Sequence, residues 1–279
     1  MKIAVAGGTG RVGRHVVDVL TERGHQVVPM ARTTGVNVFT GSGLAEALSG
    51  VECIMDAVGG VPDGMDDAAA QDKEAAATFF TTATRNMQQA GERAGVRSAV
   101  LVSIVGIDKL TTGQPAAKLD HERAWLDGPI PVRILRSAPF HELVLQMMGW
   151  GRQGDVIYVP RMRMQPVAPR NVAEALVDLA TVGEDGPAYG STVEIVGPRT
   201  ENLVDLCTTA AAKRGEPVTV EGVSDPSNPD SAVYESDAVL AGPDAIIVGP
   251  SFAEWLETNA RRASSSQRGP STSTGSTQS

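Results

Sequence analysis

The chain has 279 residues, of which 42% are hydrophobic and 20% charged, a composition typical of a globular protein. Its formal net charge of -9, without any run of Lys and Arg, argues against nucleic acid and anionic membrane surfaces as partners. No stretch is apolar for long enough to cross a bilayer, and the short apolar run after Met1 is not a signal peptide, so a cytoplasmic protein is expected.

Apolar strands alternate with helices along the first half of the chain. The predicted strands cover residues 2–6, 26–31, 36–39, 52–58, 97–103 and 132–135, and the predicted helices cover 10–23, 44–48, 75–94 and 116–126. This alternation indicates a parallel sheet covered by helices on both faces, and ligands of such sheets bind at the carboxyl ends of the strands. The segments expected on that edge are 7–13, 31–32, 58–60 and 103–106.

The second half of the chain is less regular. Helices are predicted at 140–150, 171–181, 203–214 and 251–261, and short strands at 156–159, 165–167 and 192–196, the last of which could rejoin the sheet. Residues 225–230 (DPSNPD) are predicted to form a loop. The Ser/Thr-rich stretch 263–279 offers nothing to offset the entropy of ordering, so a disordered tail is predicted there.

The two cysteines, Cys53 and Cys207, are too few for a disulfide framework or a zinc site, and no metal site is predicted. Cys53 lies in the apolar run VECIMDAV. It is therefore expected to be an inert core residue.

The segment VAGGTGRVGRHV closes the first predicted strand and opens the first helix, with glycines in a Gly-x-x-Gly-x-x-Gly pattern. Glycine permits a sharp turn and a close approach of a phosphate, and a helix N-terminus offers unpaired N–H groups and a partial positive charge. In this position the pattern favours dinucleotide binding over the alternative, a glycine-rich turn without a ligand. The predicted contacts are Gly7, Thr9, Gly10, Arg11, Val12 and Gly13.

The end of the second predicted strand bears on which dinucleotide binds. NAD-binding units usually carry an acidic residue there for the ribose hydroxyls, whereas this chain has Arg32, followed by Thr33 and Thr34. An arginine fork suits a 2′-phosphate. The sequence therefore favours NADP(H) over NAD(H), with an exposed loop arginine as the alternative interpretation.

Six motifs occur in order over roughly residues 1–215: GGTGRVG, ALSGVECIMDAVG, AGVRSAVLVSIVGID, AKLDHERAWL, PVRILRSAPFHEL and PVAPRNVAEALVDLA. With them the chain resembles an atypical short-chain dehydrogenase/reductase of the NmrA-like, NAD(P)H-binding branch. The resemblance implies an α/β fold, a Rossmann-type doubly wound parallel sheet with a small interleaved C-terminal substrate-binding region. It implies one domain over residues 1–262, whose substrate region is built mainly from 138–170 and 197–262.

The resemblance also implies a nicotinamide cofactor across the sheet edge, in contact with Ala57, Val58, Gly59, Ser103 and Lys118. Lys118 matches the family lysine, which binds the nicotinamide ribose and lowers the pKa of a catalytic tyrosine. Gln114 stands at the position of that tyrosine, four residues earlier, so the usual proton relay is broken. Ser103 is the candidate hydroxyl for polarising a carbonyl. The alternative for Lys118 is a surface ion pair with Glu122, four residues along the helix.

Reduction of a carbonyl needs a proton source near the developing alkoxide, and histidine is the natural substitute near neutral pH. His141, with Glu142 beside it, lies in SAPFHEL, a segment that in the family lines the substrate pocket. His141 is therefore the candidate acid, and the alternative is a polar residue that caps the following helix. His121 would share the helical face of Lys118.

Two further sets of side chains could bind a substrate. The first could wall an apolar pocket for a flat hydrophobic ligand, or form part of an ordinary core. Its members are Phe140, Met147, Met148, Trp150, Met162 and Met164. The second set, Arg161, Arg163 and Arg170, could hold an anionic substrate or only solvate a loop.

Two functions of different classes fit these observations. The first is an NADP(H)-dependent oxidoreductase that acts on a small hydrophobic carbonyl, enone or quinone, with Lys118, His141 and Ser103 as its catalytic residues. The second is a non-catalytic NADP(H) sensor of the NmrA type, which would bind a protein partner and which the missing tyrosine favours. Isomerase or epimerase chemistry on a nucleotide sugar normally needs that tyrosine and ranks last.

Overall fold

A seven-stranded sheet forms the centre of the computed structural model, which describes residues 1–59 and 72–266. The described strands are β1 (Lys2–Ala6), β2 (Gln26–Met30), β3 (Cys53–Asp56), β4 (Ser98–Ile104), β5 (Val132–Ser137), β6 (Arg152–Gln153), β7 (Val156–Pro160), β8 (Arg163–Met164), β9 (Thr192–Val196), β10 (Glu201–Asn202), β11 (Thr219–Val223) and β12 (Ile246–Ile247). The described helices are α1 (Gly13–Glu22), α2 (Leu44–Ala47), α3 (Lys73–Ala94), α4 (Gly113–Leu126), α5 (His141–Trp150), α6 (Pro169–Thr181), α7 (Leu203–Arg214), α8 (Ser231–Glu235) and α9 (Phe252–Ser266).

The strands of the central sheet run in the order β12-β9-β5-β4-β3-β1-β2, and every neighbouring pair is parallel. Because β1 lies between β2 and β3, the direction of winding reverses there and a crevice opens at the carboxyl end of β1. The register aligns Met30 and Asp56 with Ala6, so the segments that follow all leave the sheet at one edge. The predicted Rossmann-type α/β class is confirmed, and the strand predicted at 192–196 does rejoin the sheet.

Buried apolar side chains cover both faces of the sheet. On one face α1 and α6 pack through residues such as Val16 and Leu176. On the other face α3 and α4 contribute Phe80 and Trp125. Cys53 belongs to the first cluster, and burial raises the pKa of its thiol to about 11, as expected for an inert core residue.

A third buried cluster joins α5, α7, α9 and β7 in the second half of the chain. Met148 and Met164 are buried within it, and Met147 and Met162 pack against it. All four methionines considered for a substrate pocket therefore belong to this core or pack against it. Trp150, by contrast, is 67% exposed at the end of α5.

The strand predicted at residues 36–39 is wrong. The side-chain oxygen of Asn37 accepts hydrogen bonds from the N–H groups of Phe39 (3.0 Å) and Thr40 (3.2 Å), and these bonds fold the segment into a turn. Apolar residues suggested a strand, but the local hydrogen bonding of asparagine decides the conformation. Among the described residues β2 is consequently the last strand at this end of the sheet.

The strand predicted at 165–167 is wrong in position. The observed strand, β8, lies immediately before it and pairs with β10. Pro166 falls inside the predicted segment and lacks the N–H that a ladder needs. β11 was not predicted; it adds a parallel strand to β7, and its side chains alternate between half-buried and exposed.

The last helix extends further than the sequence predicts. α9 continues to Ser266, so the first residues of the predicted tail are helical and the predicted domain boundary at 262 falls inside a helix. The rest of the predicted tail, 267–279, lies outside the described residues, as does residue 60 of the predicted edge segment. Within residues 1–59 and 72–266, no helix combines the length and the apolar character needed to cross a membrane.

Candidate cofactor and active site

The glycine loop between β1 and α1 packs closely against the chain that leaves β3. Gly7 has a φ of +70°, and a Cβ at this position would lie 2.8 Å from the carbonyl oxygen of Ala57. A Cβ on Gly13 would overlap the carbonyl oxygen of Gly7. The loop packs directly against the sheet edge at the crevice, and this close packing requires glycine at both positions.

No side chain caps the first turn of α1, in which the N–H of Arg14 already donates to the carbonyl oxygen of Gly10 at 3.2 Å. The N-cap residue is Val12, whose side chain makes no capping hydrogen bond. The N–H groups of such a turn carry a partial positive charge. Thr9, Gly10 and Arg11 before it are exposed, as is Arg14 after it. The predicted loop residues therefore come together at one helix N-terminus.

A short 3-10 turn, Arg32–Thr34, follows β2 on the same edge. The Thr34 hydroxyl accepts a hydrogen bond from the N–H of Ala31 (3.0 Å), which fixes the turn. Gly7 donates its N–H to the carbonyl oxygen of Met30 (3.0 Å), so the glycine loop and the end of β2 are joined directly. Arg32 is exposed next to this junction.

Lys118 is buried where β3 and β4 end. It is 5% exposed, and its Nζ donates to the carbonyl oxygens of Val58 (2.7 Å) and Val102 (3.4 Å). Nζ also lies 3.2 Å from Nδ1 of His121 and 4.6 Å from the centre of the Phe80 ring. The lysine is therefore on the edge predicted for the nicotinamide ribose, and His121 shares its face as predicted.

Asp56, the last residue of β3, is the centre of a buried network beside Lys118. Its Oδ2 lies 2.9 Å from Nε2 of His121 and accepts from Nε1 of Trp125 (2.8 Å), while Oδ1 accepts from the N–H of Val58 (3.0 Å). Burial alone would raise the pKa of Asp56, but His121, Lys118 and these hydrogen bonds lower it overall. The Asp56 carboxyl is therefore ionised at neutral pH.

Burial has the largest effect on the pKa of Lys118 and on that of His121. It lowers the pKa of Lys118 to about 8, against the charges of Asp56 and Glu122, which raise it. Burial and the charge of Lys118 also lower the pKa of His121, against the opposing effect of Asp56. At neutral pH the lysine is consequently charged and the histidine neutral.

Glu122 forms a bidentate ion pair with Arg136, with Oε1 to Nε at 2.9 Å and Oε2 to Nη2 at 2.8 Å. Arg136 also binds Asp108. Because Lys118 is buried and Glu122 binds another partner, the alternative of a surface ion pair between these two residues is wrong. The helical spacing is present, but the side chains point to different partners.

Gln114, which the resemblance places at the position of the family tyrosine, donates from Nε2 to the carbonyl oxygen of Gly59 at 2.7 Å. Ser103 is buried near the end of β4, and its Oγ has no hydrogen-bond partner among the described residues. A buried hydroxyl without a partner costs free energy, so a ligand that bonds to it would gain from the contact. The structure thus brings Ser103 and Lys118 to the same strand end, and their catalytic roles stay predictions.

No protein-family model matches the sequence, and no curated protein matches it either. Solved structures do match the fold. MoeE5 in complex with UDP-glucose and NAD aligns over 96% of this chain and 100% of its own, with 16% identity and a TM-score of 0.69.

Two further structures extend this likeness. A short-chain dehydrogenase/reductase superfamily protein from Agrobacterium tumefaciens with bound NAD covers 96% of this chain and 100% of its own, with 18% identity and a TM-score of 0.65. The chain has the short-chain dehydrogenase/reductase fold. The NADPH-dependent quinone oxidoreductase QOR2 from Escherichia coli, complexed with NADPH, covers 92% of this chain and 99% of its own, at 18% identity and a TM-score of 0.65. The resemblance is confirmed for the fold, and the NmrA-like branch stays a prediction.

Within this short-chain dehydrogenase/reductase fold, His141 opens α5 and has no exposed surface. Its ring centre lies 5.7 Å from that of Phe252 and 5.3 Å from that of Trp255, and Nε2 donates to the carbonyl oxygen of Pro250 at 3.2 Å. Burial lowers the pKa of His141 to about 4, so the ring is neutral at neutral pH. The acid role of His141 stays a prediction, and its burial counts against it.

Glu142, the neighbour of His141, lies within electrostatic reach of the glycine loop. Burial raises the pKa of Glu142, against the charges of Arg11 and Arg14, which lower it. One of its carboxyl oxygens is buried without a hydrogen-bond partner in the described part of the chain. The charge of Arg11, on the loop predicted to bind the diphosphate, therefore acts on the start of α5.

Each arginine considered for an anionic substrate is engaged within the protein. Arg163 pairs with Asp237 at 2.6 Å, and Arg170 pairs with Glu22 at 2.5 Å. Arg161 donates to a backbone carbonyl at 3.1 Å. These contacts favour a structural role for all three arginines over the binding of an anionic substrate.

Asp230 joins the C-terminal half of the short-chain dehydrogenase/reductase fold to the start of α4. Its carboxylate accepts from the N–H and the hydroxyl of Thr111 (2.9 Å and 2.6 Å) and of Thr112 (2.9 Å and 2.7 Å). Nearby, a Cβ on Gly106 would lie 2.8 Å from the Cα of Val239, so the same part of the chain covers the loop after β4. The sequence did not indicate this contact, since residues 225–230 were predicted only to be a loop.

Proposed function

We propose that the chain is an NADP(H)-dependent oxidoreductase of the atypical short-chain dehydrogenase/reductase type, acting on a small hydrophobic carbonyl, enone or quinone. The observation that carries the proposal is the buried Lys118 ammonium at the ends of β3 and β4, on the same sheet edge as the glycine loop. The NAD and NADPH complexes of MoeE5 and QOR2, and the quinone activity in the name of QOR2, support it. The substrate region would come mainly from 138–170 and 197–262.

The residues of the edge fit a nicotinamide dinucleotide. The backbone cradle at Gly7 and Gly13 leaves no room for side chains, and the uncapped start of α1 offers N–H groups to a diphosphate. Lys118 would hold the ribose next to the nicotinamide, which when bound would supply hydride. Ser103 would donate its unpaired hydroxyl to the substrate oxygen. Because Gln114 has no acidic proton, the proton would come from water or the ribose hydroxyls.

A second function, a non-catalytic NADP(H) sensor, is favoured by one observation. The amide of Gln114, the residue that the resemblance aligns with the family tyrosine, is hydrogen-bonded to the Gly59 carbonyl. In this alternative the same loop and lysine would bind the cofactor, and binding would change a surface that meets a protein partner. No proton transfer would then be required of the site.

Calorimetry and a turnover assay separate these functions. Heats with NADPH and NADH measure cofactor binding, and the absorbance of reduced nicotinamide measures turnover with quinones, enones and aldehydes. Turnover with one of these classes supports the oxidoreductase. Tight NADPH binding without turnover in every class supports the sensor, and no heat with either nucleotide up to millimolar concentration overturns both.

The Arg32→Ala substitution is expected to weaken NADPH binding by about tenfold while NADH binding changes by less than about twofold, because a guanidinium bonds a 2′-phosphate that NADH lacks. Dissociation constants from calorimetry measure the effect. The matched control is Arg23→Ala, which removes the same charge from an exposed pair with Asp178 after α1. Equal losses for the two nucleotides would remove the argument for the phosphate.

A further inference from the structure

Lys118 has a complete set of hydrogen-bond acceptors within the protein. Its three ammonium N–H groups match the Val58 carbonyl at 2.7 Å, Nδ1 of His121 at 3.2 Å and the Val102 carbonyl at 3.4 Å. A charged lysine can only donate, so Nδ1 of His121 accepts and the ring proton is on Nε2. That proton is donated to Asp56. The hydrogen bonds therefore run in one direction, from the lysine through the histidine to a carboxylate.

We infer that Asp56 and His121 are positioning residues of the proposed cofactor site: together they hold the Lys118 ammonium at the Val58 and Val102 carbonyls and sustain its positive charge. The inference deepens the proposed function and rests on it in one respect, that the cofactor contacts this ammonium. The 3.4 Å bond to Val102 is the longest of the three, so it is the one a ligand hydroxyl would replace at least cost.

The charged groups that face Lys118 in the described part of the chain come from β3 and α4. Asp56 reaches the lysine through His121, and Glu122 adds a negative charge from the next turn of the helix. The carboxylate of Glu122 is already paired with Arg136 of β5. Asp56 is therefore the carboxylate that is connected to the lysine by hydrogen bonds, and its loss would leave a buried charge poorly compensated.

Reversal of the hydrogen-bond chain explains what Asp56→Asn would do. An amide N–H facing His121 would require Nε2 to accept and would move the ring proton to Nδ1. Nδ1–H would then point at Lys118, which could accept it only as a neutral amine. If the amide turned the other way, its N–H would face the N–H of Val58, and the hydrogen bond from Val58 to residue 56 would be lost. Either arrangement disfavours the charged, correctly placed lysine.

The chain contains five lysines, which makes a direct measurement practical. Lysine-selective ¹³Cε labelling with a titration from about pH 6 to about pH 11 would follow each amine, and Lys118→Arg would identify the Lys118 signal. The wild-type signal of Lys118 is expected to titrate near 8, well below the exposed lysines. This measurement needs neither cofactor nor substrate.

Asp56→Asn and His121→Leu are expected to lower the titration midpoint of Lys118 by about one pH unit or more, and to weaken NADPH binding by about tenfold slightly above neutral pH. His121→Gln is expected to preserve both values, because its amide can donate to Asp56 and accept from Lys118 as the neutral imidazole does. Asp120→Asn is the matched control. It removes a negative charge from a half-exposed position on the same helix and should leave the midpoint in place.

Circular dichroism would establish that each variant is folded, and if Asp56→Asn does not fold, the contrast between His121→Leu and His121→Gln carries the test. An unchanged Lys118 midpoint in the folded variants overturns the inference, as does an equal shift in Asp120→Asn. A wild-type protein in which Lys118 titrates as expected but NADPH gives no heat overturns the proposed function instead, so the two failures are distinguishable.

Discussion

Replacement of Asp230 with alanine is expected to lower the free energy of unfolding by about 3 kcal/mol. Its carboxylate binds four donor groups, the two N–H groups and two hydroxyls of Thr111 and Thr112, at 2.6–3.0 Å. Hydrogen bonds to a charged acceptor are worth more than neutral ones, and a negative charge at the start of α4 also favours the helix. The alanine variant leaves all four donors without this acceptor.

Urea unfolding of the wild type and of the Asp230→Ala variant measures this difference in the free energy of unfolding. Asp230→Asn, which keeps one acceptor oxygen, is expected to lose about half as much. The control is Asp225→Ala, because that exposed carboxylate bonds only locally to Ser227, so its removal should change the free energy of unfolding far less than Asp230→Ala does. Equal losses for Asp230→Ala and Asp225→Ala would show that the contact with α4 does not contribute to stability.

The pH dependence of the Asp230 contribution has a definite sign. Burial alone would raise the pKa of Asp230, but the bonds from Thr111 and Thr112 lower it overall below the ordinary 3.8. The contribution is therefore fully present above that ordinary value and is lost as the pH falls through the lower folded value.

Hydrogen exchange would locate the effect in the structure. Faster exchange of the Thr111 and Thr112 amides in Asp230→Ala would place the loss at the start of the helix that carries Lys118.

Local sequence signals were sufficient to predict the sheet edge. Gly7 and Gly13 are needed where the backbone itself comes close, and that requirement is visible as a glycine pattern between a strand and a helix. The approach of His121 to Lys118 was also predictable, because residues three apart on one helix share a face. The parallel sheet covered by helices on both faces followed from the alternation of strands and helices.

Partners from distant parts of the chain could not be predicted. Asp56 and His121 are 65 residues apart, and Asp230 and Thr111 are 119 apart. An aspartate at the end of a buried strand, as in IMDAVG, is a signal that the carboxylate needs partners, but nothing in the sequence says which ones. The alternative for Lys118, a surface ion pair with Glu122, is wrong for the same reason: helical spacing suggests the pair, but tertiary packing buries Lys118 and gives Glu122 a different partner, Arg136.

The His141→Leu substitution tests the second large effect, a loss of wild-type stability as the pH falls. Burial lowers the pKa of His141 from 6.5 to about 4. Between these two pH values the ring is protonated in the unfolded chain and neutral in the native protein. The contribution of the neutral ring is thus present above the unfolded value of 6.5 and is lost between that value and about 4. The structural reason is that Nδ1 has no described partner and lies in a cluster with Phe252 and Trp255, where a second N–H would be unsatisfied.

The measurement compares the free energy of unfolding of the two proteins at several pH values, since groups that both share cancel in the difference. Wild type is expected to lose about 2–3 kcal/mol relative to His141→Leu as the pH falls from neutral to about 4. His25→Leu, which removes a half-buried histidine near the N-terminal amine, serves as the control and should show a much smaller change. A constant difference between wild type and His141→Leu would mean that the ring can be protonated in the native state. That result would support His141 as the candidate acid, because a group that titrates without unfolding the chain can exchange its proton during a reaction.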